Sequence, residues 1–428
     1  MLFFFHLGSY GLWEPDEARY AEIAREMLAS GNFIVPHLNY VPYIEKPPLL
    51  YWLTACSMWL FGVNEFAARF PGAIAAIVGV LAVYVFALRT FDYRRAILAA
   101  AVLSTSGLYA LMAQVLTTDM LLTATTTVAT LAAFLHWREG GRWCWLSYVA
   151  MGLAVLTKGP VGAVLPLGSA AIFLWWEGEL RRAIRRFHLV PGLALTAAIC
   201  LPWFVAITLR EPGFFDFYFI GENLRRFLQS SYSHGEPFYY YVPVIIGGML
   251  PWTIFVPLPP WRSLAPNPAR RFCLIAAAET VVFFSIASAK LIPYVLPALP
   301  PLAIVIADAL MTCGERGAGN FKRLVIAGPI LALAGIGVLA TAVLAGSFSH
   351  PYPMMVRPAL YAAGVLAISA GIAAFAAFSR RIFAAGMTVA CPGVDEQQRN
   401  TGSIGVEGRG RDGDVTKVDQ QCRGRCPE

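Results

Sequence analysis

The sequence is poor in charged residues, and this shortage limits what the chain can be. Asp, Glu, Lys and Arg make up only 14% of its 428 residues, while AVILMFWYC make up 57%. Ordinary soluble domains have about 25% and about 45–50%, respectively. The composition therefore excludes a soluble enzyme and indicates a membrane protein.

Convincing cysteine motifs and basic clusters are also lacking. The 8 cysteines show no spacing typical of a metal site or a disulfide framework, so we expect no redox chemistry. The net charge of +7 comes from Lys and Arg spread over short loops between apolar runs. We therefore expect no nucleic-acid partner.

Apolar runs bounded by charge, Pro or Gly predict an all-α polytopic membrane protein. The run 1–12 is too short to cross a bilayer and lacks the features of a signal peptide, so it predicts a shortened first span. The run 49–62 follows two prolines and predicts a re-entrant or interfacial helix. The predicted spans lie near 70–89, 96–113, 120–137, 143–157, 161–176, 188–209, 238–261, 272–289, 293–311, 324–345 and 357–378.

The connections between these spans alternate in charge. Arginines cluster in every second connection, as at 181–186, and the positive-inside rule places that side in the cytoplasm. The two longest connections, 13–48 (loop 1) and 210–236 (loop 2), fall on the opposite side. Polar chemistry is therefore expected at the exterior or periplasmic face.

The chain changes character near residue 386. Apolar runs stop, and Gly, Asp, Glu, Arg and Gln dominate up to residue 428. Such a segment cannot bury enough apolar surface to offset its ordering entropy. We predict a transmembrane domain over 1–385 and a disordered, cytoplasmic polar tail over 386–428.

Loop 1 begins with a predicted amphipathic helix that starts near Pro15. Asp16 and Glu17 would complement the helix dipole there. Asp16 with Arg19 and Glu22 with Arg25 would form i,i+3 ion pairs. On these residues alone, a structural role for the acids is favoured over a catalytic one, because acids are common at helix starts.

The second half of loop 1 holds two charges next to a pair of prolines. Pro47 and Pro48 restrict the residues before them to extended geometry, which fixes Glu45 and Lys46 at the start of an apolar helix. Snorkelling to the lipid headgroups would account for Lys46. It leaves Glu45 unexplained.

Three motifs of this region resemble the aminoarabinose transferase branch of the protein mannosyltransferase-like, type C membrane glycosyltransferases. They are EPDEARYAEIAREM, PYIEKPPLLYWL and FGVNEFAARFPGA, and the resemblance extends to about residue 380. It implies a helical bundle with two large exterior loops in the bacterial inner membrane. It also implies an enzyme that takes a sugar from a polyprenyl phosphate carrier at the periplasmic face, with membrane lipids around it.

The resemblance implies roles for residues of loop 1. It assigns Asp16 to catalysis with Glu45 and Lys46, places Arg19 and Lys46 at the donor phosphate, and makes Tyr20 and Tyr43 walls of the site. The chemistry agrees, because an anionic polyprenyl phosphate leaves and needs cations or a metal beside it. Asp16 would act as general base for a hydroxyl acceptor, and direct displacement would invert the anomeric centre.

Further positions follow from the same resemblance. Substrate contacts are implied for Asp119 and Glu222. Contacts with the donor phosphate are implied for Lys158, Arg226, Lys290 and Tyr294. Helix-end or snorkelling roles remain the alternative for the lysines and Tyr294.

A divalent metal, Zn or Mg/Mn, is a further expectation. Glu45 is its candidate ligand, together with His234, the histidine of loop 2. A lone histidine near an interface also serves as an ordinary hydrogen-bonding residue, so both roles stay open for it.

The alternative function is a lipid or glycolipid transporter, or flippase, without transferase activity. Transporters place ionisable groups near the midplane and show internal repeats. Here the charged set lies in loops on one face and no repeat is evident, which favours an interfacial enzyme. The acceptor stays open among a lipid A-type glycolipid, a glycan and a protein hydroxyl.

The two ends depart from the family pattern. The first span is shortened, and a polar tail follows Arg381 where family members continue into a further span and a periplasmic domain. Activity is therefore a question to be tested on this chain itself.

Overall fold

The computed structural model describes residues 2–5, 7–13, 15–225, 236–255 and 267–315. The predicted spans near 324–345 and 357–378, the domain boundary at 385, the tail, Arg226 and His234 lie outside these ranges. Within them the chain is almost entirely helical, and its two strands of two residues each form a small hairpin in loop 1. The all-α prediction is confirmed.

The helices follow one another with short connections. The first half of the chain holds α1 (Asp16–Ser30), the strands β1 (His37–Leu38) and β2 (Val41–Pro42), α2 (Leu49–Phe61), α3 (Glu65–Thr90), α4 (Tyr93–Thr105), α5 (Gly107–Met112) and α6 (Thr118–Glu139). The second half holds α7 (Trp143–Lys158), α8 (Val161–Trp176), α9 (Leu180–Arg186), α10 (Leu189–Arg210), a π-helix (Asp216–Arg225), α11 (Tyr241–Gly248), α12 (Trp252–Phe255), α13 (Pro268–Ile286), a 3₁₀ helix (Ile292–Ala298) and α14 (Leu299–Glu315).

Helices of the described residues include four that are long and apolar enough to cross a membrane. These are α3, α6, α10 and the continuous stretch Ile292–Thr312. Helices α2 and α8 are apolar but shorter. The chain is a multi-pass membrane protein.

Two spans predicted as single helices are interrupted in the structure. The run 96–113 is divided at Ser106, whose extended backbone (φ −68°, ψ 126°) ends α4 before α5 begins. The run 238–261 is divided after Gly248, where two glycines and Pro251 disfavour a continuous helix. Hydropathy does not reveal such breaks, because the residues remain apolar across them.

Helix α6 lies at the centre of the bundle, and α10 lies at its edge. In the apolar stretch of α6, 78% of residues are buried, against 33% in α10. Phe134 of α6 packs on rings from three other helices, at centroid distances of 5.0–5.5 Å. These rings are Phe86, Phe173 and Phe272.

Helix α3 packs through a face of small residues. Its buried positions include Ala68, Gly72, Ala76 and Gly79, and such residues let membrane helices approach closely. The Tyr109 hydroxyl donates a hydrogen bond to the Ala76 carbonyl at 2.8 Å, and a Cβ at Gly79 would lie 2.3 Å from that hydroxyl. The fold thus satisfies a fully buried tyrosine hydroxyl with a backbone carbonyl.

A buried network closes the end of the bundle where α3 and α6 end. Asp308 of α14 is 3% exposed. Its carboxylate accepts from Arg95 of α4 at 3.0 Å and pairs with Arg270 of α13. These ion pairs fix three helices to one another, far from the loop 1 end.

Candidate active site

The described residues that the sequence singles out lie at one end of the bundle. Asp16, Arg19 and Tyr20 belong to α1, and Tyr43, Glu45 and Lys46 precede α2. Asp119 is in the first turn of α6, Lys158 is the last residue of α7, and Lys290 and Tyr294 follow α13. The up-and-down order of the helices brings these helix ends together.

A buried ion pair that sequence analysis missed anchors α1. Arg69 of α3 is 0% exposed and Glu17 is 1% exposed. Arg69 Nε and Nη2 donate to the two Glu17 carboxylate oxygens at 2.9 and 2.8 Å. An arginine inside an apolar run is rare in membrane proteins and was the signal that could have revealed this pair.

Backbone groups complete the environment of that pair. Arg69 also donates to the carbonyls of Leu7, Tyr10 and Gly11. Glu17 accepts from the backbone N–H groups of Leu116 (2.7 Å) and Trp13 (2.9 Å). The pair therefore ties the start of α1 to α3 and to the segment that leads into α6.

Asp16 has the opposite environment to its neighbour. Its side chain is 61% exposed, and the nearest cation is Arg19, with Nη1 3.6 Å from Oδ1. The i,i+3 prediction for Asp16 and Arg19 is confirmed, as is that for Glu22 and Arg25 (2.6 Å). Asp16 is thus an accessible carboxylate on a rigidly held helix.

Tyr43 links α1 to the acid of the second half of loop 1. Its hydroxyl donates to Glu45 Oε2 at 2.7 Å and also hydrogen bonds with Arg19. Burial and then the Glu45 carboxylate raise the pKa of Tyr43 above its ordinary value. The hydrogen bond with Tyr43 raises the pKa of Arg19, so Arg19 remains a cation.

Tyr20 is a buried residue of α1. Burial raises its pKa, and the carboxylates of Asp16 and Asp119 act in the same direction. Tyr20 and Tyr43 therefore stay protonated at neutral pH and can act as hydrogen-bond donors. Tyr20 and Tyr43, the wall residues expected from the resemblance, thus lie at the same end of the bundle as Asp16 and Asp119.

Asp119 and Lys158 form a close pair beside Tyr294. Lys158 Nζ lies 2.5 Å from Asp119 Oδ1, and both side chains are little exposed (13% and 11%). The same ammonium lies 4.1 Å from the centre of the Tyr294 ring. The pairing satisfies the charge of Asp119 at the start of α6 and that of Lys158 at the end of α7.

The end of α7 is also held by loop 2. Gly159 has φ +78°, and a Cβ there would lie 2.2 Å from the Tyr218 hydroxyl. Tyr218 belongs to the π-helix of loop 2 and is 2% exposed. Glycine is therefore required after Lys158 by both conformation and space.

Loop 2 contacts loop 1 through Lys46. Lys46 Nζ lies 3.9 Å from Glu222 Oε2, and the two side chains are 19% and 20% exposed. Trp203 of α10 donates to the Ile34 carbonyl (2.9 Å), and Trp52 of α2 donates to the neighbouring Phe33 carbonyl (2.8 Å). Glu222 of loop 2 therefore lies next to Lys46 of loop 1, and the binding roles implied for both residues stay predictions.

Lys290 lies at the same end of the bundle but is engaged with the backbone. Its ammonium donates to the Ala287 carbonyl at 3.0 Å, where α13 has ended. This contact is that of a helix-end lysine. A role for Lys290 at a phosphate stays a prediction.

The described residues do not by themselves form a metal site. They contain no group of three or more His, Cys, Asp and Glu side chains placed to hold an ion. Glu45 accepts from the Tyr43 hydroxyl, and the other candidate ligand, His234, lies outside the described residues. The expected metal therefore stays a prediction.

Comparison with known proteins gives consistent matches over this region. The family model of dolichyl-phosphate-mannose-protein mannosyltransferases matches residues 45–205. The undecaprenyl phosphate-alpha-4-amino-4-deoxy-L-arabinose arabinosyl transferase of Erwinia tasmaniensis is 34% identical over 77% of this chain and 62% of that protein. The protein of the same name from Edwardsiella ictaluri is 35% identical over 79% of this chain and 63% of that protein.

A solved structure shares the fold. The ArnT of Cupriavidus metallidurans bound to undecaprenyl phosphate superimposes with a TM-score of 0.71 and 27% identity, covering 87% of this chain and 74% of that chain. This chain spans less than two thirds of the length of the two curated relatives above. In sequence and in fold the chain is similar to the aminoarabinose transferases of the type C membrane glycosyltransferases.

Proposed function

We propose that the protein transfers a sugar from an undecaprenyl phosphate-linked donor to an acceptor at the membrane surface, and that the sugar is an aminoarabinose. The observation that carries this proposal is the exposed carboxylate of Asp16 within a group of cations and tyrosines. The names of the relatives supply the class of donor. A lipid A-type glycolipid is the acceptor we favour, with a glycan or a protein hydroxyl as alternatives.

Asp16, and not its neighbour Glu17, is the proposed general base because the surroundings of the two acids differ. Glu17 is saturated by Arg69 and two backbone N–H groups, so it can neither approach an acceptor nor take its proton. Asp16 is exposed and has only a loose contact with Arg19. A general base must reach the proton that it removes, and Asp16 meets this condition.

Two cations near Asp16 and Glu45 are candidates to stabilise a leaving phosphate. Arg19 adjoins Asp16, and Lys46 is next to Glu45 in the sequence. Lys46 Nζ lies 3.9 Å from Glu222 Oε2, and its ammonium can donate to a phosphate oxygen. Charge-assisted hydrogen bonds to a phosphate are about twice as strong as neutral ones.

The reaction we propose is a single displacement at the anomeric carbon. The acceptor oxygen forms the new bond while the bond from the anomeric carbon to the phosphate oxygen breaks, and its electron pair stays on undecaprenyl phosphate. Asp16 takes the proton when the acceptor is a hydroxyl. The anomeric centre inverts, and the cations stabilise the charge that develops on the leaving phosphate.

The location we propose is the inner membrane, with the site facing the periplasm. The arginine-rich connections at 89–95 and 181–186 support this orientation by the positive-inside rule. The exposed apolar surface of α10 supports a position against lipid. A lipid-linked donor could then remain in the bilayer while its head group enters between loops 1 and 2.

The test is a transfer assay in proteoliposomes. Purified protein is reconstituted with undecaprenyl phosphate-linked aminoarabinose and lipid A, and the product is detected by mass spectrometry. The proposal expects release of undecaprenyl phosphate and a modified acceptor with inverted configuration. Intact donor after prolonged incubation with each acceptor class would contradict it, and movement of donor between leaflets without cleavage would favour a flippase.

A further inference from the structure

Tyr51 is a buried tyrosine at the edge of the candidate site to which neither the motifs nor the comparisons assign a role. It lies in the first turn of α2, and its side chain is 0% exposed. Within the described part of the chain, its hydroxyl oxygen is buried and has no hydrogen-bond partner. A buried hydroxyl without a partner costs about 1–3 kcal/mol.

The surroundings of this hydroxyl are those of the site. The Tyr51 ring packs on that of Tyr20, with centroids 6.0 Å apart. Glu45 and Arg19 are near enough for their charges to act on the Tyr51 hydroxyl, and Tyr43 hydrogen bonds with Glu45. The prolines before α2 hold Tyr51 in a fixed position relative to Glu45.

Another tyrosine shows that the fold can satisfy such a group. Tyr109 is equally buried, but its hydroxyl donates to the Ala76 carbonyl at 2.8 Å. Tyr109 lies in α5, and its hydroxyl points into the packing between helices. Of these two buried tyrosines, Tyr51 is the one whose hydroxyl has no partner, and it is the one near the charged residues of loop 1.

We propose that Tyr51 is a further binding residue of the site, whose hydroxyl donates a hydrogen bond to an oxygen of the donor's sugar–phosphate head group. This inference rests on the proposed function. The geometry supports it because the ring is fixed by Tyr20 while the hydroxyl keeps its donor capacity. A bound oxygen would then satisfy a group that the protein leaves without a partner.

Two other hydroxyls of α2 provide a control. Thr54 and Ser57 lie three and six residues beyond Tyr51 in the same helix, and their oxygens are also buried without a partner in the described part of the chain. Internal water could serve all three groups. If water were the only partner, loss of the Thr54 hydroxyl would have the same effect as loss of the Tyr51 hydroxyl.

The experiment compares Tyr51→Phe and Thr54→Val with the wild type. Affinity for undecaprenyl phosphate, kcat/KM for the sugar-linked donor and the thermal unfolding midpoint are measured on the full chain. We expect Tyr51→Phe to fold normally and to lower kcat/KM about tenfold or more, the size of a lost hydrogen bond to a charged group. Thr54→Val is expected to leave kcat/KM within about twofold of the wild type.

The outcomes show whether the oxygen that Tyr51 contacts belongs to the phosphate or to the sugar of the donor. A matching loss of affinity for undecaprenyl phosphate would place the contact at the phosphate, and an unchanged affinity with reduced kcat/KM would place it at the sugar. An active wild type with an unchanged Tyr51→Phe variant, or equal losses in both variants, would overturn the inference alone. A wild type that neither binds undecaprenyl phosphate nor transfers sugar would instead overturn the proposed function.

Discussion

At the scale of single residues, Asp16 and Glu17 show how the surroundings decide what a carboxylate can do. The two residues adjoin in sequence, yet one side chain is 61% exposed and the other 1%. In the sequence both are acids at a helix start, and the i,i+3 spacing predicts the Asp16–Arg19 pair. The sequence does not predict the Glu17–Arg69 pair in the same way, because the two residues are 52 positions apart and nothing local connects them.

The buried pair provides the first prediction. Glu17→Gln leaves the Arg69 charge buried with a neutral partner, so we expect it to lower the free energy of unfolding by about 3–5 kcal/mol. Glu22→Gln is the matched control, because Glu22 and Arg25 form an i,i+3 pair with 32% and 40% exposed side chains, worth at most about 1 kcal/mol. Unfolding of both variants in detergent measures the difference, and equal losses would contradict the assigned role of the pair.

At the scale of secondary-structure elements, apolar periodicity predicted most helices and missed their interruptions. The predicted spans 120–137 and 161–176 agree closely with α6 and α8. The interruption at Ser106 depends instead on tertiary contacts, since the Gly107 N–H donates to the Leu250 carbonyl of a distant segment. Such a contact leaves no signal in the local sequence.

The turn after α7 provides the second prediction. Gly159→Ala places a methyl group 2.2 Å from the Tyr218 hydroxyl and forces alanine to φ +78°. We expect destabilisation of more than about 1 kcal/mol and a loss of transfer activity, because Lys158 and loop 2 both shift. Gly178→Ala is the control, since Gly178 has φ +72° but no atom within 4 Å of the added methyl.

The two glycine variants are compared by unfolding midpoint and transfer rate. Both variants force alanine to a positive φ, so this cost is common to the two. Any larger loss of stability or activity in Gly159→Ala therefore measures the clash with Tyr218. Equal effects at the two positions would show that this contact does not hold the end of α7.

At the scale of the whole molecule, the distribution of charge sets the orientation in the membrane. The site residues gather at the end of the bundle that carries loops 1 and 2, and the Asp308 network with Arg95 and Arg270 lies at the other end. Sequence analysis predicted this division from the alternation of arginine-rich connections. The orientation of the two bundle ends relative to the membrane provides the third prediction.

Accessibility of single cysteines tests that orientation. In a background without native cysteines, a thiol at Asn32 should react with an impermeant reagent added to intact cells, and a thiol at Arg182 should not. Asn32 follows α1 and Arg182 lies in α9, so the two positions sample opposite ends of the bundle. The reverse pattern would contradict the orientation of every span.

The central claim is that the exposed Asp16 carboxylate performs the transfer. The most direct measurement is the rate of sugar transfer by Asp16→Asn in proteoliposomes, at an insertion level equal to that of the wild type. Asp216→Asn is the control, because Asp216 is an exposed acid at the start of the π-helix in loop 2. The account predicts a loss of at least about 100-fold for Asp16→Asn, the usual contribution of a general base, and a near wild-type rate for Asp216→Asn. Transfer by Asp16→Asn within a few-fold of the wild type would contradict the account.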